Sequence, residues 1–366
     1  MKRSTRYMNF LNKKFNAFGL DISDLSLKIA KLEKTQDFLK LTAFGEGEIP
    51  PGIIEEGEIR DEKSLTEIIK NSLNQIKGKR LKTKYVVASL PEEKSFLDLI
   101  RLPKVKEEEL SSAVKFEAEN HIPLPLEEVY FDFEKIEPIS NHLKYQEVLV
   151  AACPKKIVDS YLRVLKKARL QPLVFEVESL SIVRALIKKG ENSPPLLIID
   201  FGGTRTSFII YSGRSLRFTS TIPISSQVLT ESIAKNLKIS KKKAEVLKIK
   251  EGLKGDKKVF EAMIPPLTDL IEQIKALLRY YHTHASKDQL LRNGKRMEKI
   301  LLCGRGSLLK GLAEFLTKEL KIEVKVGNPW VNILKTPIKE IPELPFEKSL
   351  GYTTALGLAL RGIYGD

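Results

Sequence analysis

Two segments of this chain carry the same pattern, and that pattern restricts the folds the chain can adopt. In each segment an apolar strand ends at an aspartate, a short turn of small or polar residues follows, and a second strand runs back. The aspartates are Asp21 and Asp200, which stand about half the chain apart in a sequence of 366 residues. Because an internal duplication produces such spacing, we expect two related lobes, each opened by a strand hairpin.

The two hairpins are suited to phosphate. A turn of glycines or small residues brings backbone N–H groups close to an anion, since no Cβ atom intervenes. Two such turns facing each other would hold a polyphosphate from both sides, with Asp21 and Asp200 beside it. Mg²⁺ prefers oxygen ligands and would bridge these aspartates through water, while Lys28 would reach a phosphate oxygen as a point charge.

A third element completes the pattern. The segment from Leu302 to Ser307 reads as the end of a strand, a glycine turn and the start of a helix. Glycines at that place would let a flat base and a ribose lie against the backbone. Each element alone has an ordinary explanation, since an aspartate at a strand end is commonly a turn cap. The ordered set of three, at half-chain spacing, predicts a nucleotide site.

Length and composition exclude several classes of protein. The chain is too long for one compact core, so two lobes or more are expected. Its apolar runs fall well short of the roughly 20 residues that span a bilayer, and no apolar segment follows the basic N-terminus, so we expect no secretory signal. Cys153 and Cys303 lie far apart in the sequence, which argues against a disulfide framework and favours a reducing cytoplasm.

The net charge of +15 is unevenly distributed. Residues 235–258 contain ten lysines against three acids, and residues 46–62 contain seven acids against Arg60 alone. A basic surface can meet anionic lipid, nucleic acid or an acidic partner. It can also be a solvated lysine face, which is the interpretation we favour from the sequence. Aromatic residues do not interleave with these lysines as they do in nucleic-acid modules, so we predict no nucleic-acid partner.

Apolar periodicity predicts a mixed α/β chain. Between residues 91 and 178 the elements follow the order β-α-β-β-α-β, which suggests a small α+β unit inserted into the first lobe. A helix is expected from Ser64, which would cap it, to Ile76. The predicted domains are a basic N-terminal tail (1–15), lobe 1 (16–90), the inserted unit (91–178), lobe 2 (179–349) and a C-terminal connecting helix that returns to lobe 1 (350–366).

These segments resemble the actin-like ATPase superfamily and, within it, the PilM family of type IV pilus assembly proteins, over almost the whole chain. The matching segments are two phosphate motifs, an adenosine motif and two connecting helices, namely Asp21–Lys28, Asp200–Ser207, Cys303–Leu309, Ser225–Ile233 and Leu350–Leu360. Segments typical of PilM are Pro50–Asp61 and Val114–Val129. The resemblance implies an α/β, actin-like (ribonuclease-H-like) duplicated two-lobe fold, with an inserted α+β subdomain in the first lobe like that of the cell-division protein FtsA.

The resemblance also implies the residues of a site for ATP or ADP with Mg²⁺. Asp21 and Asp200 would hold the metal through water, and Gln227 and Thr230 lie on the first connecting helix. The residues assigned to phosphate are Asp21, Ser23, Asp24, Lys28, Asp200, Gly202, Gly203 and Thr204. The residues assigned to adenosine are Gly304, Arg305, Gly306, Ser307 and Glu245. No catalytic residue is assigned.

In the PilM family a groove beside the inserted subdomain receives the short cytoplasmic N-terminal tail of PilN, a single-pass inner-membrane protein. The candidate groove residues here are Phe116, Tyr130 and Phe131. The resemblance implies a cytoplasmic protein, peripheral at the inner face of the cell membrane, which meets the membrane indirectly through PilN and other pilus platform proteins. It leaves self-association open.

Two alternatives share the same fold. The first is an FtsA-like cell-division adaptor, which would carry a membrane-binding helix after the second connecting helix. The second is a phosphotransferase of the sugar-kinase branch, which would carry a catalytic aspartate in a glycine-rich loop between the two phosphate motifs. The sequence displays neither feature, so the pilus adaptor is the favoured interpretation.

The sequence departs from the family pattern at places that would touch the nucleotide. Ser23 puts a Cβ atom where phosphate would lie, Asp24 brings a carboxylate near it, Ser225 and Ser226 replace two glycines, and Arg305 replaces the middle glycine of the adenosine motif. We therefore expect weak ATP binding or very slow hydrolysis, and a protein that works mainly as a scaffold. Arg305 also supports an opposite interpretation, since its guanidinium would stack on adenine or meet a phosphate.

Overall fold

The structure is a computed structural model, which describes residues 16–35, 38–136, 145–190, 193–284, 297–334 and 341–365. The chain divides into two compact units, each assembled from separate stretches of sequence. The first unit takes Met1–Ser95, Pro154–Lys189 and Pro329–Asp366, and the second takes Phe96–Cys153 and Gly190–Asn328. The interval 96–153 thus interrupts the sequence of the first unit but groups with the second.

Both units mix helices and strands. The strands of the described residues are β1 (Phe18–Ser23), β2 (Ser26–Lys34), β3 (Leu39–Glu48), β4 (Ile54–Glu55), β5 (Glu58–Ile59), β6 (Lys77–Gly78), β7 (Tyr85–Leu90), β8 (Phe96–Pro103), β9 (Val129–Ile136), β10 (Tyr145–Pro154), β11 (Gln171–Val177), β12 (Ser193–Phe201), β13 (Thr206–Gly213), β14 (Ser215–Ile222), β15 (Lys299–Cys303) and β16 (Glu323–Val326). The helices are α1 (Glu62–Asn74), α2 (Glu107–His121), α3 (Lys155–Lys167), α4 (Glu178–Leu186), α5 (Ser226–Leu237), α6 (Lys241–Glu251), α7 (Lys257–His284), α8 (Leu312–Leu320), α9 (Phe346–Ser349) and α10 (Thr353–Tyr364).

The first unit is built on a six-stranded sheet with the order β11-β7-β1-β2-β3-β6. Strands β1, β2 and β3 form an antiparallel meander, and β7 joins the other edge of β1 in parallel. Strand β1 is buried along almost its whole length, as expected of a strand inside a sheet that helices cover. Helix α10 packs on it so closely that a Cβ atom at Gly19 would lie 2.2 Å from the Ala355 carbonyl oxygen.

The second unit repeats this arrangement in a five-stranded sheet with the order β14-β13-β12-β15-β16. Strands β12, β13 and β14 form the antiparallel meander, and β15 joins the other edge of β12 in parallel. The pairing therefore matches that of β1, β2, β3 and β7 strand for strand. The apolar run Leu196–Ile199 of β12 is buried. The duplication predicted from Asp21 and Asp200 is thus present in the sheet topology.

A separate three-stranded sheet, β8-β10-β9, shares a core with α2 in the interval 96–153. The structure differs here from the expected six-element unit, because the second helix and the last strand do not belong to it. Strand β11 pairs in parallel with β7 of the six-stranded sheet, with Gln171 opposite Tyr85. A parallel neighbour can come from a distant part of the sequence, so the order of elements does not reveal which sheet receives a strand. The exact domain boundaries stay a prediction.

Charged side chains join the three-stranded sheet to the five-stranded sheet of the second unit. Arg217 of β14 donates a hydrogen bond to Glu147 of β10 at 2.6 Å, and Arg101 of β8 donates to the same carboxylate at 3.3 Å. The side chains of Arg217 and Glu147 are only 4% and 9% exposed. Charge-assisted hydrogen bonds of this kind are among the stronger polar contacts, which gives a physical reason why the interval 96–153 groups with the second unit.

The start of α1 corrects one local expectation. The sequence predicts Ser64 as the N-cap, but the cap is Asp61, whose Oδ1 accepts a hydrogen bond from the Ser64 amide at 3.0 Å. The Ser64 hydroxyl donates to the other carboxylate oxygen at 2.6 Å. Aspartate and serine are both good caps, so the sequence offered two candidates three residues apart and the earlier one is used.

The packing of α10 on α4 generates a stability test. A Cβ atom at Gly357 of α10 would lie 1.9 Å from the Ser181 carbonyl oxygen of α4, so Gly357→Ala forces backbone to move. We expect it to lower the free energy of unfolding by about 1–3 kcal/mol or more. The matched control is Gly362→Ala on the same helix, where the nearest atom would be 3.3 Å away. That change should cost much less than Gly357→Ala, because the contact is far looser and alanine favours a helix. Urea unfolding measures both, and similar losses in the two variants would contradict the packing.

Candidate functional site

The first hairpin places an aspartate and a lysine side by side. Asp21 of β1 stands opposite Lys28 of β2 in the antiparallel register, and both residues are buried. Ser89 of the neighbouring strand β7 donates from its hydroxyl to Asp21 Oδ1 at 3.3 Å and accepts from the Ile22 amide at 2.9 Å. The structure therefore holds the predicted Asp21 at a fixed place where β1, β2 and β7 meet.

Burial raises the pKa of Asp21, while the positive charge of Lys28 and the hydrogen bond from Ser89 act in the opposite direction. An ionisable group that is both buried and matched to a charged neighbour is typical of functional sites. The ionised form of Asp21 is thus held at some cost to the folded state.

The turn of the first hairpin is closed by its own side chains. The Ser23 hydroxyl donates to the Ser26 carbonyl at 2.9 Å, and Lys28 Nζ donates to the Ser26 hydroxyl at 2.9 Å. Lys28 therefore reaches along the hairpin to its turn, where the sequence predicts a phosphate. Ser23 does not have a positive φ, so a serine at this position causes no backbone strain.

The Asp24 carboxylate makes a contact that the sequence did not predict. It is buried, and its Oδ1 accepts a hydrogen bond from the Gly57 amide at 3.0 Å. Gly57 has a φ of +74°, and a Cβ atom there would lie 2.5 Å from Pro91; its carbonyl accepts from the Tyr161 hydroxyl at 3.1 Å. The Asp24 carboxylate thus holds the short β4–β5 hairpin in place. The predicted position of this carboxylate near a phosphate stays a prediction.

The second hairpin has the intact glycine turn. The Gly202 amide donates to the Arg205 carbonyl at 3.0 Å, and Thr204 lies between them, half-buried. The first two amides of α5, those of Ser226 and Gln227, donate to the carbonyls of Gly202 and Gly203 at 3.0 and 3.1 Å. These bonds satisfy amides that a helix start leaves open, so the turn is fixed against the helix while Gly203 remains exposed.

Strand pairing brings the second phosphate motif to the adenosine motif. Strands β12 and β15 run in parallel with Asp200 opposite Cys303, so the glycine turn that follows β15 lies against the end of β12. Gly304 has a φ of +78°, and a Cβ atom there would lie 2.2 Å from Asp200 Oδ1. A Cβ atom at Gly306 would lie 2.6 Å from the Phe201 carbonyl. Both glycines are therefore required by packing within the unit.

Packing does not require glycine at the other two positions of this turn, Arg305 and Ser307. The Ser307 hydroxyl donates to the Gly304 carbonyl at 2.7 Å and closes the short 3₁₀ turn Arg305–Leu308. Arg305 is exposed and has no positive φ, so the missing middle glycine leaves the fold undisturbed. Burial and the negative charge of Asp200 raise the pKa of Cys303 well above its usual value, which keeps the thiol protonated.

A buried lysine of α6, Lys248, contacts three polar side chains where α5 and α6 meet. Lys248 Nζ of α6 donates to the Ser226 hydroxyl and to the Thr230 hydroxyl, both at 2.7 Å, and lies 2.7 Å from Glu245 Oε2. Thr230 also donates to the Glu245 carboxylate. Burial lowers the pKa of Lys248, and Glu245 opposes that shift. The predicted Thr230 and Glu245 are thus brought together, whereas the Gln227 side chain is exposed and donates to Glu231 instead.

Sequence reasoning missed Lys248. It stands among ten lysines, so charge alone does not separate it from its exposed neighbours. A usable signal is its place three residues after Glu245 and four after Ala244, which puts it on the buried side of the helix.

The candidate groove residues lie in the interval 96–153. Phe116 of α2 is 72% exposed and Tyr130 of β9 is 49% exposed, whereas Phe131 packs on the core beneath α2 and contacts Phe133. Successive residues of a strand point to opposite faces, so Phe131 does not share a face with Tyr130. A pocket of about 390 Å³ lies next to the end of α2, lined by Glu119 and the segment 122–127.

The part of the chain that the structure describes has neither a metal-binding cluster nor a membrane-spanning helix. No group of three or more His, Cys, Asp or Glu side chains is arranged to hold a metal ion, so the predicted magnesium contacts of Asp21 and Asp200 stay a prediction. Among the same residues, no helix combines the length and apolar character needed to cross a membrane.

Comparison with solved structures first defines the class. The structure of MreB5 of Spiroplasma citri bound to ADP matches with a TM-score of 0.51 at 13% identity, over 92% of this chain and 94% of that chain. Together with the duplicated hairpin sheets, this match defines an actin-like ATPase fold.

The family follows from two stronger matches. Residues 19–363 match the family described as type IV pilus assembly protein PilM. A structure titled PilM–PilN type IV pilus biogenesis complex matches with a TM-score of 0.78 at 28% identity, over 96% of this chain and 99% of that chain. The chain therefore belongs to the PilM family.

A more distant relationship is with cell-division proteins. FtsA of Streptococcus pneumoniae is 24% identical over 189 residues, which is 48% of this chain and 41% of FtsA. The matched segments span about half the length of the curated relatives. The chain and FtsA are thus related proteins, at low identity and over part of their lengths.

The raised pKa of Asp21 gives a pH-dependent prediction. A raised pKa means that the folded protein favours the protonated form, so the stability contributed by this carboxyl is fully present below the ordinary value of 3.8 and is lost as the pH rises through the folded-state pKa. We expect Asp21→Asn to become progressively more stable than the unaltered protein as the pH is raised from about 4 to about 7.

The measurement is urea unfolding of both proteins across this pH range. The control is Asp269→Asn, which makes the same substitution at an exposed position of α7. A difference for Asp21→Asn that does not depend on pH, or that falls as the pH rises, would mean that the ion pair with Lys28 outweighs burial.

Proposed function

We propose that this protein is an assembly adaptor of a type IV pilus inner-membrane platform, which binds the short cytoplasmic N-terminal tail of a PilN-like membrane protein. The observation that carries this proposal is the match, at 28% identity and over 99% of the other chain, to a structure of a PilM–PilN complex. In this proposal the protein is cytoplasmic and peripheral at the inner face of the membrane, where it also meets other platform proteins.

The tail-binding surface is proposed to lie on α2 and β9. A phenylalanine that is 72% exposed, as Phe116 is, is typical of the aromatic anchors at the centre of protein interfaces. The neighbouring pocket is lined by Ile122, Pro123, Leu124, Pro125 and Leu126 between Glu119 and Glu127. Apolar side chains between two acidic ones suit an extended peptide with apolar and basic side chains.

The charge of residues 96–153 also favours a tail with basic side chains. Residues 96–153 contain twelve acidic and six basic residues, although the whole chain has a net charge of +15. An acidic surface steers a basic tail towards it and disfavours acidic competitors. The tail we propose is therefore basic as well as apolar.

Replacing Phe116 tests the tail-binding proposal. The probe is a synthetic peptide with the cytoplasmic N-terminus of the PilN-like protein encoded in the same genome. We expect Phe116→Ala to weaken its binding about tenfold or more, as loss of an aromatic anchor does. The matched control is Phe346→Ala, which removes a phenylalanine that is 43% exposed in the first unit and should leave affinity unchanged. Fluorescence anisotropy of the labelled peptide gives both affinities. Absence of binding at high micromolar peptide, or equal affinity of all three proteins, would refute the proposal.

The nucleotide site is proposed to be present but weak. In the second unit the turn of Gly202 and Gly203 leaves room for a phosphate, and the exposed Arg305 supplies a positive charge next to the glycine turn. In the first unit Lys28 faces the turn of its hairpin, but Ser23 adds side-chain atoms where the family has glycine. We expect very slow hydrolysis because no general base is identified.

Restoring one glycine tests why binding is weak. We expect the unaltered protein to bind Mg²⁺·ATP with high-micromolar affinity or weaker, and Ser23→Gly to bind it about tenfold more tightly, because the phosphate gains access to the backbone. Ser23→Ala is the matched control, since it removes the hydroxyl but keeps the Cβ atom, and should gain nothing. Isothermal titration measures all three. Tight, Mg²⁺-dependent binding by the unaltered protein would contradict the proposal.

A second candidate function is that of an FtsA-like cell-division adaptor. It is favoured by the 24% identity to FtsA over 48% of this chain. The PilM match extends over residues 19–363, so the pilus adaptor is the better-supported function. Binding of the PilN-like tail peptide distinguishes the two.

A further inference from the structure

Helix α6 presents an outer face that the proposed function does not use. Val246 is 60% exposed and Ile249 is 63% exposed, which is unusual for two branched apolar residues on one short helix. Residues three and four apart are neighbours on a helix surface, so Lys242, Lys243 and Lys250 surround Val246 on this face. Ala244 and Lys248 lie on the opposite, buried side. The outer face of α6 is therefore a small apolar centre with a ring of lysines.

Lys242 and Lys243 lie in the first turn of α6 and do not stabilise the helix, whereas Lys250 lies in the last turn, where a cation is favourable. Helix α6 begins with three consecutive lysines and has no acidic residue in its first turn. The N-terminus of a helix carries a partial positive charge, so cations there are unfavourable. In the described part of the chain no ion pair involves Lys242 or Lys243, and Lys250 pairs only with the adjacent Glu251 at 3.0 Å while remaining 74% exposed. The positive charge is thus kept at a cost and left available.

We propose that the outer face of α6 binds the anionic surface of a phospholipid membrane directly. Lys242, Lys243 and Lys250 would meet the phosphate headgroups, and Val246 and Ile249 would enter the boundary between headgroups and acyl chains. Amphipathic helices bind membranes through this combination of basic and apolar side chains, and each lysine close to an anionic leaflet adds to the attraction. The wider segment 235–258, with ten lysines against three acids, extends the positive field around the face.

The chemistry of the face favours lipid over other anionic partners. Nucleic-acid surfaces commonly add aromatic side chains that stack on bases, and the face has aliphatic side chains at its centre. Two exposed aliphatic side chains would gain nothing from phosphates of a duplex, whereas a lipid surface offers them an apolar layer. Direct lipid binding goes beyond the proposed function, in which membrane association depends on the PilN-like protein.

The test is flotation of the purified full-length chain with vesicles, in the absence of any partner protein. One set of vesicles is phosphatidylcholine alone, and the other contains about one-third phosphatidylglycerol. We expect binding only to the anionic vesicles, with loss at about 0.5 M salt because exposed charges are then screened. Lys242→Gln, Lys243→Gln and Lys250→Gln combined should lower the partition coefficient about a hundredfold. Val246→Ser with Ile249→Ser should lower it about tenfold at unchanged charge.

Matched controls remove the same number of side chains elsewhere. Lys63→Gln, Lys77→Gln and Lys82→Gln combined remove three exposed lysines of the first unit, and Ile341→Ser removes an apolar side chain that is 90% exposed. Both control proteins should float as the unaltered protein does. Affinity for the PilN-like tail peptide should be the same in every variant, so failure of the lipid proposal can be told apart from failure of the tail-binding proposal.

Three outcomes would overturn the proposal. The first is no binding to anionic vesicles, and the second is equal losses in the α6 and control lysine variants, which would indicate general attraction of a basic protein. The third is tight binding of a labelled DNA duplex that the α6 lysine variant abolishes while vesicle binding persists, which would assign the face to nucleic acid.

Discussion

The parallel register of β12 and β15 is the constraint on which the second-unit site depends. It puts Asp200 opposite Cys303, and the chain that follows Cys303 must then turn within contact distance of the end of β12. Only residues without a side chain fit there, as the positions of Gly304 and Gly306 against Asp200 and Phe201 demonstrate. The same strand end supports the Gly202 turn, whose carbonyls accept the first amides of α5. One pairing thus assembles the two motifs that a nucleotide would need.

The same contacts explain which glycines of the family pattern the chain keeps and which it lacks. The glycines that the chain keeps, at positions 304 and 306, are those whose Cβ atoms would collide with neighbouring backbone. The glycine absent at Arg305 belonged to an exposed position without positive φ, and Ser23 likewise sits without backbone strain. Loss of glycine therefore falls where the fold tolerates it. The architecture therefore does not depend on glycine at these two positions.

Sequence patterns predicted the parts of the structure that local interactions determine. The two hairpins and the turn after Cys303 follow from apolar runs and glycines within a few residues. Contacts between distant segments were not predictable in this way. Nothing near Asp24 in the sequence indicates Gly57 as its partner, and β11 joins β7 only because a parallel neighbour is chosen by the tertiary fold. Lys248 was hidden because burial, and not residue type, distinguishes it from the lysines around it.

A charged cluster connects the inserted sheet to the rest of the second unit. It consists of Glu147 and Arg217, which are buried, and Arg101, whose side chain is 35% exposed. Glu147 pairs with both guanidinium groups, so removing it would leave the nearly buried Arg217 without that charged partner. Loss of one partner of such a buried pair typically costs about 3–5 kcal/mol. The surface that carries Phe116 is therefore attached through β8 and β10 to β14, and through β13 to β12 and its Gly202 turn. Strand pairings and one buried ion pair therefore form a continuous chain of contacts from the glycine turn to the inserted sheet within the second unit.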